Sequence, residues 1–441
     1  MSPSIDRRAL LASSAALAGA LAAPGFTLAE AAPAGPPVAP VKPVVETLWG
    51  VPVTDPYRWM EQEGPEWKAY ALAENDYARK VLGAIPGRDA LYDAISHNSG
   101  VLVALAGAQV AGDYVFTEVR PPQAETFKLY VRTGVGGADR LLLDPDRFAP
   151  AGSHASLDWW AASNDGKHVV FGVSPGGSEE SVAHIMVTET GALLAETIDR
   201  TQNGSPGWTD DGRGFFYNRL QGGLPPDSLD KFKLSTSWYH ALNTDPAADI
   251  KVLAKGTSPD VEVADIDFPV VGATPGSDVA IGLLISGVQN EISAYAASVA
   301  DAAAGKPTWR RICAPADSIT GLAVHGDDIF LLSHDGASRY KVLKTTAASP
   351  GIASAKLAVP ESGSVIRGIG AAKDALYITD LNAGLGGIRR LAWDGTLTTI
   401  SMPFAGAIGG VFVDTLHDGC WFALEGWVQP PTVFYIAPDG K

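Results

Sequence analysis

The sequence predicts an all-β fold: a seven-bladed β-propeller preceded by a short helical leader. Three observations carry this. From Gly112 onward apolar and polar residues alternate with a period of two, punctuated by turns rich in Asp and Gly. The same unit, a strand, a polar turn and a strongly apolar strand, appears about seven times at a spacing of roughly 43 to 60 residues, within the range of propeller blades. Ahead of these units, Pro65 opens a run in which Trp67, Tyr70, Glu74, Tyr77 and Val81 return near helical spacing.

The elements follow in order. Residues 1–31 read as an export signal: Arg7-Arg8 precedes an apolar run of small residues to Ala23, and Ala29-Glu30-Ala31 offers a small-x-small cleavage site. The paired arginines fit the twin-arginine route, with a chance pair in an ordinary secretory signal as the alternative. The run is short and rich in Ala and Gly for a membrane span, so a soluble periplasmic or secreted protein is expected. Residues 32–43, rich in Pro and Ala, form a linker. The leader is expected over 44–105. Ile85-Pro86-Gly87 ends its first helix, and a second, near 88–97, carries Leu91 and Ile95 on one face.

The propeller is expected over 106–441. Its units are GDYVFTEV (112–119), SLDWWAASNDGKHVVFGV (156–173), PGWTDDGRGFFYNRL (206–220), VVGATPGSDVAIGLLIS (270–286), GLAVHGDDIFLLSHDG (321–336), GIGAAKDALYITDLNAG (368–384) and GVFVDTLHDGCWFALEG (410–426). A blade buries its faces only against its neighbours, so a sustained repeat of this kind closes into a ring. A sandwich would give turn signals every ~8–12 residues without the longer period. The pairs Asp165-Gly166, Asp211-Gly212, Asp335-Gly336, Asp394-Gly395 and Asp418-Gly419 read as hairpin turns in which Gly takes a positive φ. The tryptophans, including Trp159-Trp160 and Trp421, read as blade core or packing between blades, with a carbohydrate-stacking platform as the alternative.

Composition narrows the function classes. A chain of 441 residues with 46% hydrophobic and 19% charged content is globular, and its net charge of −16 and pI near 4.9 oppose binding to nucleic-acid phosphates. Cys313 and Cys420 lack C-x-x-C spacing and read as two separately buried thiols, with a single disulfide as the alternative. The eight histidines (97, 154, 168, 184, 240, 325, 334, 417) show no paired metal spacing, and His168 and His184 read as structural. No G-x-S-x-G elbow is present: the nearest approach, Gly336-Ala337-Ser338-Arg339-Tyr340, ends in Tyr and lies between strands. Gly176-Gly177-Ser178-Glu179-Glu180 lacks the lysine of a phosphate loop and reads as a hairpin tip. No catalytic, cofactor or metal residue is assigned.

DPYRWME (55–61), the following PEWKAYALAENDYARKVLGAIPGRDALY (65–92), the GWTDDGRGFFYNRL unit (207–220), WYHALNTDPAADIKVL (238–253) and GWVQPPTVFYIAPDGK (426–441) resemble, in family order, the prolyl oligopeptidase family of serine peptidases. The resemblance covers about residues 44 to 441. It implies a seven-bladed propeller capping an α/β-hydrolase domain with a Ser, Asp and His triad, and cleavage after proline in short peptides admitted past the propeller. The chain matches the leader and the propeller and stops where the hydrolase core would begin, so it is expected to be inactive alone. Tyr57, Trp59 and Trp67 are implied to dock against the hydrolase. The loop Ser286 to Glu291, with Val288 and Gln289, has the general form of a family loop near the substrate cavity; the loop ending in Arg339 lacks the proline expected before that residue. The implied partners are short peptides and a hydrolase domain or fragment, with no nucleic acid, no membrane and no cofactor. Two other readings stay open. One is a stand-alone propeller that binds peptides or a protein partner; the other is a propeller enzyme with carboxylates in its channel, which would need a regular set of acids across the blades that this sequence lacks.

Overall fold

The computed structural model describes residues 35–134, 136–225 and 228–441. The expected export signal and the first residues of the linker lie outside the described residues. The chain divides into two compact units, one ending at Ser99 and the other running from Gly100 to Lys441.

The first unit contains the expected helices and one element that the sequence reading lacked. Helix α1 spans Pro65–Gly83, with Pro at its first turn where the missing N–H costs nothing, and α2 spans Arg88–Asn98. Before them, Val44–Leu48 and Val51–Asp55 pair as an antiparallel hairpin, so the leader is not helical throughout. Its two-residue turn places Trp49 at φ 51° and Gly50 at φ 80°, the left-handed pair that joins twisted strands most tightly. Most of these strand residues are exposed, which is why no alternating pattern announced them. Among the described residues no helix is long and apolar enough to cross a membrane.

The second unit is a seven-bladed β-propeller. Blades 1 to 7 cover residues 104–143, 155–198, 207–253, 267–313, 319–359, 365–399 and 407–436. Blades 1 to 6 are four-stranded antiparallel sheets in sequence order, and blade 7 has three strands. First strands of several neighbouring blades touch, as Ile319–His325 does Val365–Ala371, and so surround the axis. Second strands are packed on both faces. His168–Pro175 has six consecutive buried residues, which explains the near-continuous apolar runs after each turn. The five Asp-Gly pairs behave as expected, with Gly166, Gly212, Gly336, Gly395 and Gly419 all at positive φ.

Six hydrophobic clusters hold successive blades together, one at each junction from blades 1 and 2 to blades 6 and 7. Phe171, Phe216, Phe330 and Phe422 are fully buried in them, each contributing about 1.5–3 kcal/mol by burial. Between blades 7 and 1 lies a cleft of about 420 Å³, bordered by Leu105, Val115, Val119, Phe412, Trp421 and Val433. Trp160 and Trp208 stitch their blades to the preceding one, and Trp159 ties blade 2 to the link that leaves it. Trp159 Nε1 donates to Thr201 O at 2.7 Å, Trp160 Nε1 to Glu118 Oε2 at 2.9 Å, and Trp208 Nε1 to Ala161 O at 3.1 Å. Both cysteines are free and buried, and burial pushes each thiol up to about 12.

Candidate functional site

Antiparallel four-stranded blades give the propeller two chemically different ends. At the turn end, first strands join second strands, mostly through short turns rich in Gly and Asp. At the loop end lie the longer connections between second and third strands, together with the links from one blade to the next. Chain connectivity places Gly100, where the propeller unit begins, on the loop end, since Gly100 O accepts the amide of Gln123 from the connection after the second strand of blade 1, at 2.7 Å.

The loop end carries apolar side chains that burial elsewhere would have claimed. Val288 and Trp427 are fully exposed, and Leu229 and Val428 nearly so. They sit on the second-to-third connections of blades 4, 7, 3 and 7 respectively. The structure brings the expected gate residues together at this end. Gln289 N donates to Ser286 O at 3.1 Å, closing the turn that presents Val288. Arg339 is exposed on the matching connection of blade 5, and its amide donates to Glu361 Oε1 at 2.6 Å. The two loops are joined by His334 Nε2 and Glu291 Oε1, 2.9 Å apart. The backbone amide of Glu291 and then His334 hold that carboxyl below its usual range.

The three expected docking aromatics lie in the first unit with unequal exposure. Tyr57 is exposed, whereas Trp59 and Trp67 are half-buried. Trp59 donates its indole N–H to Pro40 O at 2.8 Å and meets the Tyr70 ring edge-on at 5.9 Å.

One pocket was not foreseen. On the loop end of blades 2 and 3, a cavity of about 290 Å³ is lined by Glu180, Asp199, Arg200, Gln202, Gln221 and Lys231. Arg200 holds φ 58°, an unusual backbone state for a side chain of this size. Burial opposes ionisation of Asp199, yet Arg219 and Arg200 keep its carboxyl below the ordinary value. Among the described residues Gln221 Oε1 is buried without a hydrogen-bond partner. The signal available in the sequence was the length and Gly-Pro content of residues 220–235; no periodic pattern marks such a site.

Among the described residues an acid, an imidazole and a hydroxyl meet away from this end. His240 Nδ1 stands 2.7 Å from Asp249 Oδ1, and Tyr217 OH donates to Asp249 Oδ2 at 2.7 Å. All three side chains are buried, so substrate has no access and the group acts as a structural tie. Among the described residues no set of three or more His, Cys, Asp or Glu is placed to hold a metal ion.

The described residues thus form a seven-bladed β-propeller whose loop end bears exposed apolar side chains. A family model described as the prolyl oligopeptidase N-terminal β-propeller domain matches residues 36–441, and the chain belongs to that family. It is 24% identical over 404 residues to a prolyl endopeptidase of Elizabethkingia meningoseptica, covering 88% of this chain and 54% of that one. It is 23% identical over 335 residues to prolyl oligopeptidase A of Amanita bisporigera, covering 69% and 43%. The chain therefore spans about half the length of the curated relatives it matches. Among solved structures, it superposes on a prolyl endopeptidase studied for inter-domain dynamics in catalysis and specificity, with a TM-score of 0.80 and 26% identity over 92% of this chain and 58% of that one. Prolyl oligopeptidase B of Galerina marginata, bound to a 35-residue substrate, shares the fold with a TM-score of 0.79 and 16% identity, over 92% and 59%.

Proposed function

We propose that this chain is the non-catalytic propeller portion of a prolyl oligopeptidase-type serine endopeptidase, governing access of short proline-containing peptides to a hydrolase domain. The observation that carries the reading is the gathering of solvent-exposed Val288, Trp427, Val428 and Leu229 on one end of the ring. Exposed apolar groups concentrated in this way favour burial against a partner surface. Val288, Gln289 and Arg339 then act as gate residues at the mouth nearest the hydrolase, and Tyr57, Trp59 and Trp67 as docking residues. Of these three, Tyr57 has the most surface free to offer. Export to the periplasm or medium is part of the proposal and rests on Arg7-Arg8 and the apolar run after it.

The test is association. Mixed with the separately produced hydrolase domain of a homologous prolyl endopeptidase, the purified chain is expected to form a 1:1 complex by sedimentation. The complex should hydrolyse a chromogenic Gly-Pro substrate, and Trp427→Ser together with Val288→Ser should weaken it. Absence of a complex, or turnover by the isolated chain that a serine-directed inhibitor abolishes, would refute the proposal.

A further inference from the structure

At the turn end of the ring, hydrogen bonds run from blade to blade over blades 1 to 5. Gly112 N donates to Asn164 O at 3.0 Å, linking blades 1 and 2. Asn164 Nδ2 donates to Asp210 Oδ1 at 2.9 Å, and Gly276 N to Asp210 Oδ2 at 2.8 Å, linking blades 2, 3 and 4. Ser277 Oγ donates to Gly326 O at 2.7 Å, reaching blade 5. Each of these bonds joins neighbours, as sequential blades in a ring require.

Blade 7 departs from this order. Its first and second strands, Ala407–Phe412 and Cys420–Glu425, are joined by residues 413–419, whereas the equivalent connections elsewhere are shorter, as at 112–113, 274–278 and 326–327. The base of this loop is held by blade 6: Lys373 N donates to His417 O at 2.9 Å, and Gly419 N to Asp374 Oδ1 at 2.7 Å. Asp414 stiffens the loop from within, accepting from Leu416 N at 2.7 Å and from His417 N at 3.1 Å. Its tip reaches blade 4, where Thr415 Oγ1 donates to Pro275 O. A Cβ built on Gly276, also in that turn, would stand 3.6 Å from Leu416 Cδ2.

Blades 4 and 7 are not neighbours. In a ring of seven they are three steps apart by the shorter way round, so a contact between their axial turns has to pass across the axis. We infer that residues 413–419 form a strap fixed across the turn end of the propeller channel, shutting that mouth so that peptide-sized solutes reach the channel only from the loop end. The consequence for peptides rests on the proposed function; the strap itself rests on the ring topology. Thr415 and Leu416 thereby decide from which side the ring admits a ligand. The strap also gives the fold a transverse tie, since it joins elements that no blade-to-blade contact connects.

Two measurements on the full chain test this without any peptidase assay. Gly272 lies in the axial strand of blade 4 just before the Pro275 turn, and a Cβ there would meet no atom within 4 Å. A cysteine at this position (G272C) should react slowly with a bulky polymer-linked maleimide. Shortening the strap by removing Thr415 and Leu416 should raise that rate by about tenfold or more, because thiol modification is limited by access. A V288C control on the loop end should react at one unchanged rate in both backgrounds, and the buried native thiols contribute no background. Equal G272C rates with and without the strap would overturn the inference. Where the shortened chain fails to fold, a P275C and T415C pair in the intact strap supplies the second measurement. Mild oxidation should join the two as an intramolecular disulfide, seen by mass after digestion; a pair that remains reduced would equally overturn it.

Discussion

Arg390 and Asp374 form a largely buried ion pair in which Nη2 and Oδ2 stand 2.8 Å apart, and the same carboxylate accepts the amide of Gly419 from the next blade at 2.7 Å. Tyr377 OH adds a third bond at 3.1 Å. One side chain thus joins blade 6 to blade 7 at the base of the strap. Arg390→Ala leaves that carboxylate buried and unpaired, and an expected loss of about 3–5 kcal/mol should be visible as a lower denaturant midpoint. Arg390→Lys should recover part of it, because a lysine cannot reproduce the guanidinium fork.

The same pair sets an acid limit. Burial opposes ionisation of Asp374, yet the Gly419 amide, Arg390 and Tyr377 hold its pKa below the ordinary value. A carboxylate depressed in the folded chain contributes stability that is complete above about pH 4 and is lost as pH falls through the folded pKa. Asp374→Asn should lower stability at neutral pH and flatten its decline below that point, measured by urea unfolding at a series of pH values.

His184 acts in the same direction but at a higher pH. It lies between the rings of Phe148 and Phe171, with centroids 4.6 and 5.7 Å away, and burial lowers its pKa. The unfolded chain takes up a proton near pH ~6.5 that the folded chain resists, so stability should fall as pH drops below that value and rise with pH through the window. His184→Phe should remove this part of the slope. An unchanged pH profile in the variant would show that the ring titrates freely in the fold.

Trp159 is seated by glycines. Besides its bond to Thr201 O, its ring lies so close to Gly204 and Gly172 that a Cβ on either would stand 2.3 and 2.4 Å from it. Gly204→Ala is expected to destabilise by about 1–3 kcal/mol through overpacking. In a Trp159→Leu background the same change should cost less, and the double-mutant cycle should return a coupling of roughly 0.5–3 kcal/mol.

Cys313 and Cys420 should stay unmodified by a thiol reagent at pH 8 in the native chain and release two equivalents on denaturation. Both are buried and free, with thiols pushed up to about 12, leaving almost no thiolate to react. Rapid native labelling of either would mean that its blade opens locally.

Much of the fold was legible in the sequence because the relevant signals are local. The Asp-Gly turns reported themselves through a residue pair that tolerates positive φ, and α1 and α2 through the spacing of residues such as Tyr70, Tyr77, Leu91 and Ile95. The hairpin Val44–Asp55 was not legible: Pro52 interrupts its strand pattern and its side chains are mostly exposed, so burial left no alternation to read. The loop-end pocket was also hidden, since Arg200 and Lys231 converge from different blades. Val288, Gln289 and Arg339 were singled out individually, and the Glu291 to His334 contact that joins their loops emerged only in three dimensions.

The sequence by itself determined the repeat, the positions of the turns and the residues that fill each blade, because a strand's burial pattern depends on alternation over a few residues. Only the tertiary structure decided which connections meet when the ring closes. Thr415 and Pro275 are 140 residues apart, and nothing in the local chemistry of either specifies the other. Their contact follows from seven twisted blades packing around one axis, which brings the turns of blades 4 and 7 to opposite sides of the same opening. The strap, the loop-end pocket and the exposed apolar rim all arise at that level, where position around the ring sets what each residue can touch.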